Sequence, residues 1–206
     1  MIRIKVCGLT DSQEAKAVAE AGADAIGLVF AESPRKIDPH RARQIVQNLP
    51  PMVQTVGVFV NESAEKIRRI IDCCGLDLVQ LHGEETPETC KDLAPRAIKA
   101  WRIRTRADIQ ALLPYQEVVK AFLLDAWSPG AHGGTGETFD WSIASEAKRV
   151  ISRPIILAGG LKPENVARAI RQVKPWAVDV SSGVENAPGK KNIGLVTDFI
   201  RRAVVD

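Results

Sequence analysis

The sequence predicts a (β/α)8, or TIM, barrel. Eight short apolar runs alternate with eight amphipathic stretches along 206 residues, and no composition shift or low-complexity segment divides them. Strands that alternate with helices pair in parallel, and eight such units close into a barrel. The rival is an open doubly wound sheet, whose first turn would often carry G-x-G-x-x-G. Here that turn reads Cys7-Gly8-Leu9-Thr10. Residues 1–206 therefore read as one domain.

The apolar runs are Ile2–Cys7, Ala25–Phe30, Thr55–Val60, Leu78–His82, Ala97–Trp101, Ala121–Asp125, Pro154–Ala158 and Ala177–Val180. Their length and β-branched content suit buried parallel strands. The helical stretches are Ser12–Ala21, Pro39–Asn48, Ser63–Cys74, Pro87–Leu93, Arg106–Leu113, Trp141–Arg149 and Pro163–Gln172, with a last one from about Asn192 to Val204. Ser63 and Thr86 supply hydroxyls at helix starts, and Pro87 fits a first helical position. Gly22 and Gly75 mark helix ends. The chain is shorter than the ~250 residues typical of such barrels, so its loops must be short. The exception is the glycine-rich stretch Ala126–Phe139 after the sixth run, a length expected of a lid or binding loop.

Composition narrows the classes of function. A net charge of +3 is too mild for a nucleic-acid binder, and no basic cluster carries interleaved aromatics. Four cysteines without a C-x-x-C pair, with only three histidines, give no metal-ligand spacing. Neither a metal nor an organic cofactor is expected. Met1 runs straight into a strand-like segment, and no apolar run is long enough to cross a bilayer. The expectation is a cytoplasmic protein with reduced thiols, monomeric or homodimeric, with no membrane or nucleic-acid partner.

Active sites of these barrels lie at the C-terminal strand ends. The polar residues there are Lys5, Cys7, Gln80, His82, Asp125, Asp179, Ser181 and Ser182, with Arg35 shortly after the second run. Side chains alternate along a strand, so Lys5 shares a face with Cys7, and Asp179 with Ser181. A lysine beside a cysteine favours the thiolate. On residue type alone, Cys7 reads better as a small buried hydrophobe, and Asp125 equally as a turn cap. Phosphate is expected in the loops after the seventh and eighth strands. Those loops read Ala158-Gly159-Gly160-Leu161 and Ser181-Ser182-Gly183-Val184. Glycines let backbone N–H groups approach an anion, and serines add donors. Gly134 and Gly136 form a weaker third candidate.

The order of these segments resembles the phosphoribosylanthranilate isomerase family. Lys5-Val6-Cys7-Gly8 is similar to its opening motif, and Ser33-Pro34-Arg35 to its second-loop motif. Gly57–Asn61, Gln80–Gly83, Leu124-Asp125, Gly133–Gly136, Leu157–Leu161 and Asp179–Glu185 follow in register. The resemblance implies an Amadori rearrangement of a phosphorylated small molecule, without metal or cofactor, in tryptophan biosynthesis. It implies Asp125 as general acid, Cys7 as general base in a setting that favours its charge, and Arg35 on the anthranilate carboxylate. It also implies phosphate contacts from Gly159, Gly160, Ser181, Ser182 and Gly183, with Lys5, His82 and Asp179 as neighbours of the site. Two rivals stand beside it. One is a histidine-pathway isomerase, which would carry a carboxylate where Cys7 stands. The other is a silent barrel that binds a phosphorylated ligand.

Overall fold

Short polar side chains start the helices. Asp11 accepts from the backbone N–H of Gln13 and Glu14, Asp38 from Arg41, Ser63 from Lys66 and Thr86 from Thr89. Pro39 and Pro87 follow their caps at the first helical turn. Gly75, at φ 76°, ends its helix in the left-handed region. The capping by Asp11 and Asp38 was not anticipated from the sequence; both precede helices whose extents were.

A computed structural model describes residues 1–125 and 141–204 of the chain. The strands are β1 (Arg3–Cys7), β2 (Ala25–Val29), β3 (Gln54–Phe59), β4 (Leu78–Leu81), β5 (Ala97–Arg102), β6 (Ala121–Asp125), β7 (Ile155–Ala158) and β8 (Ala177–Val180). Between and after them run α1 (Ser12–Glu20), α2 (Pro39–Asn48), α3 (Ala64–Cys74), α4 (Pro87–Asp92), α5 (Arg106–Leu112), α6 (Ser142–Val150), α7 (Val166–Val173) and α8 (Ile193–Val204). The strands form one closed barrel in chain order, every pairing parallel, with β1 completing the ring on β8. The predicted fold class is the observed one.

Two differences from the sequence reading are local. The seventh helix begins at Val166 rather than near Pro163, because Asn165 Oδ1 accepts from Lys162 N and holds that stretch as a turn. After β8 the chain makes a hairpin, β9 (Glu185–Ala187) with β10 (Lys190–Lys191), that the apolar pattern did not reveal. Its strands are too short and polar to carry a hydrophobic signature.

The core has two layers. Ile4, Val6, Ile26, Leu28, Leu124, Leu157 and Val178 face outward from the strands onto Val18, Ile45, Ile67, Leu112, Val166 and Phe199 of the helices. Inside the barrel, Val56, Leu78, Ile98, Ala100, Leu123, Ile156 and Ala177 fill the axis. Cys7, Val29 and Val58 form a small apolar layer above them. Above this filled axis the C-terminal strand ends open into a mouth, which places the site. Among the described residues, no helix is long and apolar enough to cross a membrane.

Candidate active site

The inward face of β1 carries Lys5 and then Cys7, because successive side chains alternate. β8 does the same with Asp179. In register, Lys5 stands opposite Asp179, and Lys5 Nζ donates to Asp179 Oδ1 at 2.8 Å inside the barrel. Both are almost fully buried. Desolvation opposes the charge on Lys5 most strongly, yet Asp179 and the nearby Cys7 outweigh it and raise the lysine pKa.

Cys7 corrects one expectation. Its setting was expected to favour the thiolate; instead burial pushes the thiol pKa up, and the lowering by Lys5 only partly offsets this. Asp179 adds to the upward shift, while Lys191 works against it. The lysine shares the predicted face, but its charge is largely committed to Asp179.

Cys7 opens into a cavity of about 520 Å³ at the C-terminal strand ends. Arg35, His82, Asp125, Gly159, Gly160, Asp179, Ser181 and Ser182 line it too. Sequence reasoning therefore brought most of its candidates to one place. Lys5 lies beneath the cavity rather than on its wall. Gly183 lies behind it: a Cβ there would fall 2.0 Å from the Leu161 carbonyl oxygen, so its backbone packs against the loop after β7. Gly134 and Gly136 lie outside the described residues.

Asp125 ends β6 and Cys7 ends β1, so the two approach the cavity from separated strands. His82 Nε2 is 3.7 Å from Asp125 Oδ2, and Gln80 Nε2 is 3.1 Å from His82 Nδ1. Arg102 at the end of β5 pairs in register with Asp125 and also lines the cavity. Sequence analysis passed over Arg102, although its place at the end of an apolar run was the available signal.

The two anion-binding candidates are braced from behind. Gly159 and Gly160 adopt φ 89° and 61°, and a Cβ on Gly160 would meet nothing within 4 Å, so the loop after β7 lies open to the cavity. Asn165 Nδ2 donates to Gly160 O at 2.9 Å. Ser181 Oγ donates to Cys7 O at 3.0 Å and ties the loop after β8 to β1. A short 3-10 turn, Ser182–Val184, follows it. A cavity wall of open glycine backbone with serines beside it is of a kind that can take a phosphate.

Arg35 crosses the mouth from the loop after β2. Its stem lies over Gly8, where a Cβ would come within 2.5 Å of Arg35 Cδ. Its Nε and Nη2 donate to Glu185 Oε1 and Oε2 at 2.9 and 2.6 Å. Lys191 Nζ donates to Glu185 Oε1 at 2.6 Å. Glu185 entered the sequence reading only as the end of the Asp179–Glu185 motif, with no role, and Lys191 not at all; both belong to the hairpin it did not reveal. Among the described residues, no group of three or more His, Cys, Asp or Glu side chains is placed to hold a metal ion.

Comparison with known proteins bears on this arrangement. The model of the family described as N-(5'phosphoribosyl)anthranilate (PRA) isomerase matches residues 4–202. An N-(5'-phosphoribosyl)anthranilate isomerase of Pelobacter propionicus is 52% identical over 204 residues, covering 98% of this chain and 96% of that protein. The crystal structure of phosphoribosyl anthranilate isomerase from Thermotoga maritima superposes with a TM-score of 0.90 at 47% identity, covering 98% of each chain. A phosphoribosyl anthranilate isomerase in complex with reduced 1-(o-carboxyphenylamino)-1-deoxyribulose 5-phosphate gives a TM-score of 0.88 at 45% identity, again covering 98% of each chain.

Proposed function

The chain belongs to the N-(5'-phosphoribosyl)anthranilate isomerase family, and we propose that Cys7 and Asp125 are the base and acid of its reaction. That reaction is the Amadori rearrangement of N-(5-phosphoribosyl)anthranilate to 1-(2-carboxyphenylamino)-1-deoxyribulose 5-phosphate, a step of tryptophan biosynthesis. We read residues 1–206 as one domain devoted to it.

The observation that carries the assignment is the convergence of Cys7 and Asp125, on β1 and β6, upon one cavity that also holds Arg35 and the two glycine loops. Asp125 gives its proton to the furanose ring oxygen as the ring C–O bond breaks, leaving a protonated Schiff base. Cys7, as thiolate, then takes the proton from C2′. The electron pair moves into a C1′–C2′ double bond and neutralises the imine nitrogen. The resulting enolamine takes a proton at C1′ and loses one from the C2′ hydroxyl to become the ketone. Hydrogens are only relocated, so no external oxidant or reductant enters the balance.

The phosphate is held by backbone donors at Gly159, Gly160, Ser181 and Ser182 and by the Ser182 hydroxyl, while the Ser181 hydroxyl is taken by Cys7 O and Gly183 packs behind the loop. Gly134 and Gly136 belong to the same proposal as a third contact. The anthranilate carboxylate is taken by Arg35, whose planar fork suits paired bonds to a carboxylate. Lys5, Asp179 and His82 support the reacting pair from beneath and beside it. A cysteine in place of a second carboxylate favours this substrate over that of the histidine-pathway isomerase.

The test is steady-state kinetics of Cys7→Ala and Asp125→Asn. Each should lower kcat about 10²–10⁴-fold while inorganic phosphate still binds. Near-normal kcat in either variant overturns that residue's assignment.

A further inference from the structure

Glu185 lies beyond the end of β8 and contacts neither Cys7 nor Asp125 in any bond described above. Its carboxylate is nonetheless built into the mouth with unusual care. The side chain is 4% exposed. It accepts from Arg35 Nε and Nη2, from Lys191 Nζ, and from Gly189 N at 3.2 Å. Lys191 stands opposite it across the hairpin and is itself fully buried. The hairpin is pinned in turn: Thr10 Oγ1 donates to Gly189 O at 3.0 Å, and Lys191 N donates to Glu14 Oε1 at 2.7 Å.

The pairing uses one edge of the guanidinium and spares another. A guanidinium carries five N–H bonds in a fixed plane. Glu185 takes the edge formed by Nε and Nη2. The end formed by Nη1 and the second Nη2 hydrogen is left, and among the described residues no acceptor takes Nη1. Arg35 lines the cavity, so a second carboxylate bound there is within reach of this residue. Burial opposes ionisation of Glu185, but bonds to Arg35 and Lys191 outweigh it and hold its pKa below the usual carboxylate range. It is charged throughout the neutral range and can act as a fixed counter-charge.

We propose that Glu185 is a positioning residue that locks Arg35 with its free edge toward the cavity, and so sets the preference for a substrate bearing an ortho-carboxylate. This rests on the reading of Arg35 as the anthranilate-carboxylate contact. Without Glu185, a guanidinium on a flexible stem would spread over several rotamers, and paired hydrogen bonds lose strength steeply with misalignment.

The experiment measures discrimination between two probes. One is reduced 1-(o-carboxyphenylamino)-1-deoxyribulose 5-phosphate; the other is the same molecule without the carboxylate. Inorganic phosphate serves as a third ligand. Glu185→Gln keeps one acceptor oxygen but turns an N–H toward Arg35. It should weaken the carboxylated probe on the order of tenfold and leave the other two ligands unchanged. KM for substrate should rise by a similar factor, with kcat moved far less. In an Arg35→Ala background the same substitution should change nothing further. Glu185→Asp, which keeps the charge, should restore part of the discrimination and serves if Glu185→Gln folds poorly. An unchanged ratio between the probes overturns the proposal, as does a parallel loss for all three ligands, which would mark a merely structural role. If Arg35→Ala alone leaves the ratio intact, the reading of Arg35 fails instead, and the two failures are told apart.

Discussion

His82 presents Nε2 to Asp125 Oδ2 at 3.7 Å while its Nδ1 meets Gln80 Nε2 at 3.1 Å. The imidazole thus stands between a β4 side chain and the proposed acid at the end of β6. Gln80 and His82 share a face because they are two residues apart on an extended chain. Gln80 fixes the ring, and the ring limits where the Asp125 carboxyl can swing. His82→Ala should lower kcat roughly tenfold through loss of this alignment and leave KM little changed. Equal losses in kcat and in inorganic phosphate binding would instead indicate a disturbed cavity.

Lys5 bears on the pH dependence of the reaction. The buried thiol of Cys7 has its pKa raised by desolvation, and Lys5 pulls it back down. Cys7 works deprotonated and Asp125 protonated, so kcat/KM depends on two ionisations, and the limb of its pH profile that titrates Cys7 should lie on the alkaline side of an ordinary thiol, about 8.5. Lys5→Met removes the cation and leaves the Asp179 carboxylate, and both changes disfavour the thiolate. The limb should move further alkaline, and a profile recorded from pH 6 to 10 checks it. An acid shift would mean that Cys7 is not the group being titrated.

Gly27 tests how tightly Cys7 is held. The two residues pair across β1 and β2, and a Cβ on Gly27 would fall 2.7 Å from Cys7 Sγ and 3.0 Å from its Cα. Gly27→Ala must displace the thiol, because strand backbones on both sides are fixed by the barrel. A stability cost of about 1–3 kcal/mol is expected from overpacking. The loss in kcat should be larger, up to roughly 10²-fold, since small misplacements of reacting groups are costly. Urea unfolding and kinetics on the same preparation separate the two effects.

Lys99 and Glu85 form a buried pair outside the cavity. Lys99 Nζ donates to Glu85 Oε2 at 2.8 Å and to the carbonyls of Leu81 and Gly83 at 3.2 and 2.7 Å. Glu85 accepts from Asn61 N and Gly83 N, so the pair joins the loops after β3 and β4. Lys99→Met should cost about 3–5 kcal/mol, the penalty for stranding a buried charge. The pKa of Glu85 is lowered in the folded state: burial is the largest influence and opposes this, but Lys99 and the backbone donors prevail. A lowered folded pKa stabilises the fold above the unfolded value, about 4.3, and that contribution is lost as pH falls through the folded value. The gap between wild type and Lys99→Met should therefore be full at neutral pH and narrow on acidification. Urea midpoints at pH 7, 5 and 4 measure it; a gap that widens in acid would refute the pairing argument.

The barrel was legible in the sequence because its signals are local. Apolar runs of strand length, caps such as Ser63 and Thr86, and the left-handed Gly75 act within a few residues, so the strands and, apart from the start of α7, the helix extents follow from spacing. Cys7, Asp125, Ser181 and Ser182 could be placed at one mouth for the same reason: each ends or follows an apolar run, and parallel strands all end on one side. What the tertiary structure decided depends on residues distant in the chain. Arg35 meets Glu185 across 150 positions, and Lys5 meets Asp179 across 174. Both pairs exist only because β8 closes onto β1; the repeat of eight units implied that closure, but not which side chains would meet across it. The balance at Cys7 belongs here too: its neighbour Lys5 was readable, but whether burial or the lysine prevails depends on how completely the barrel removes the thiol from water. The β9–β10 hairpin was invisible for a further reason. It is held by buried charge pairs and backbone anchors to Thr10 and Glu14 rather than by an apolar face, and those partners come together only after the barrel has formed.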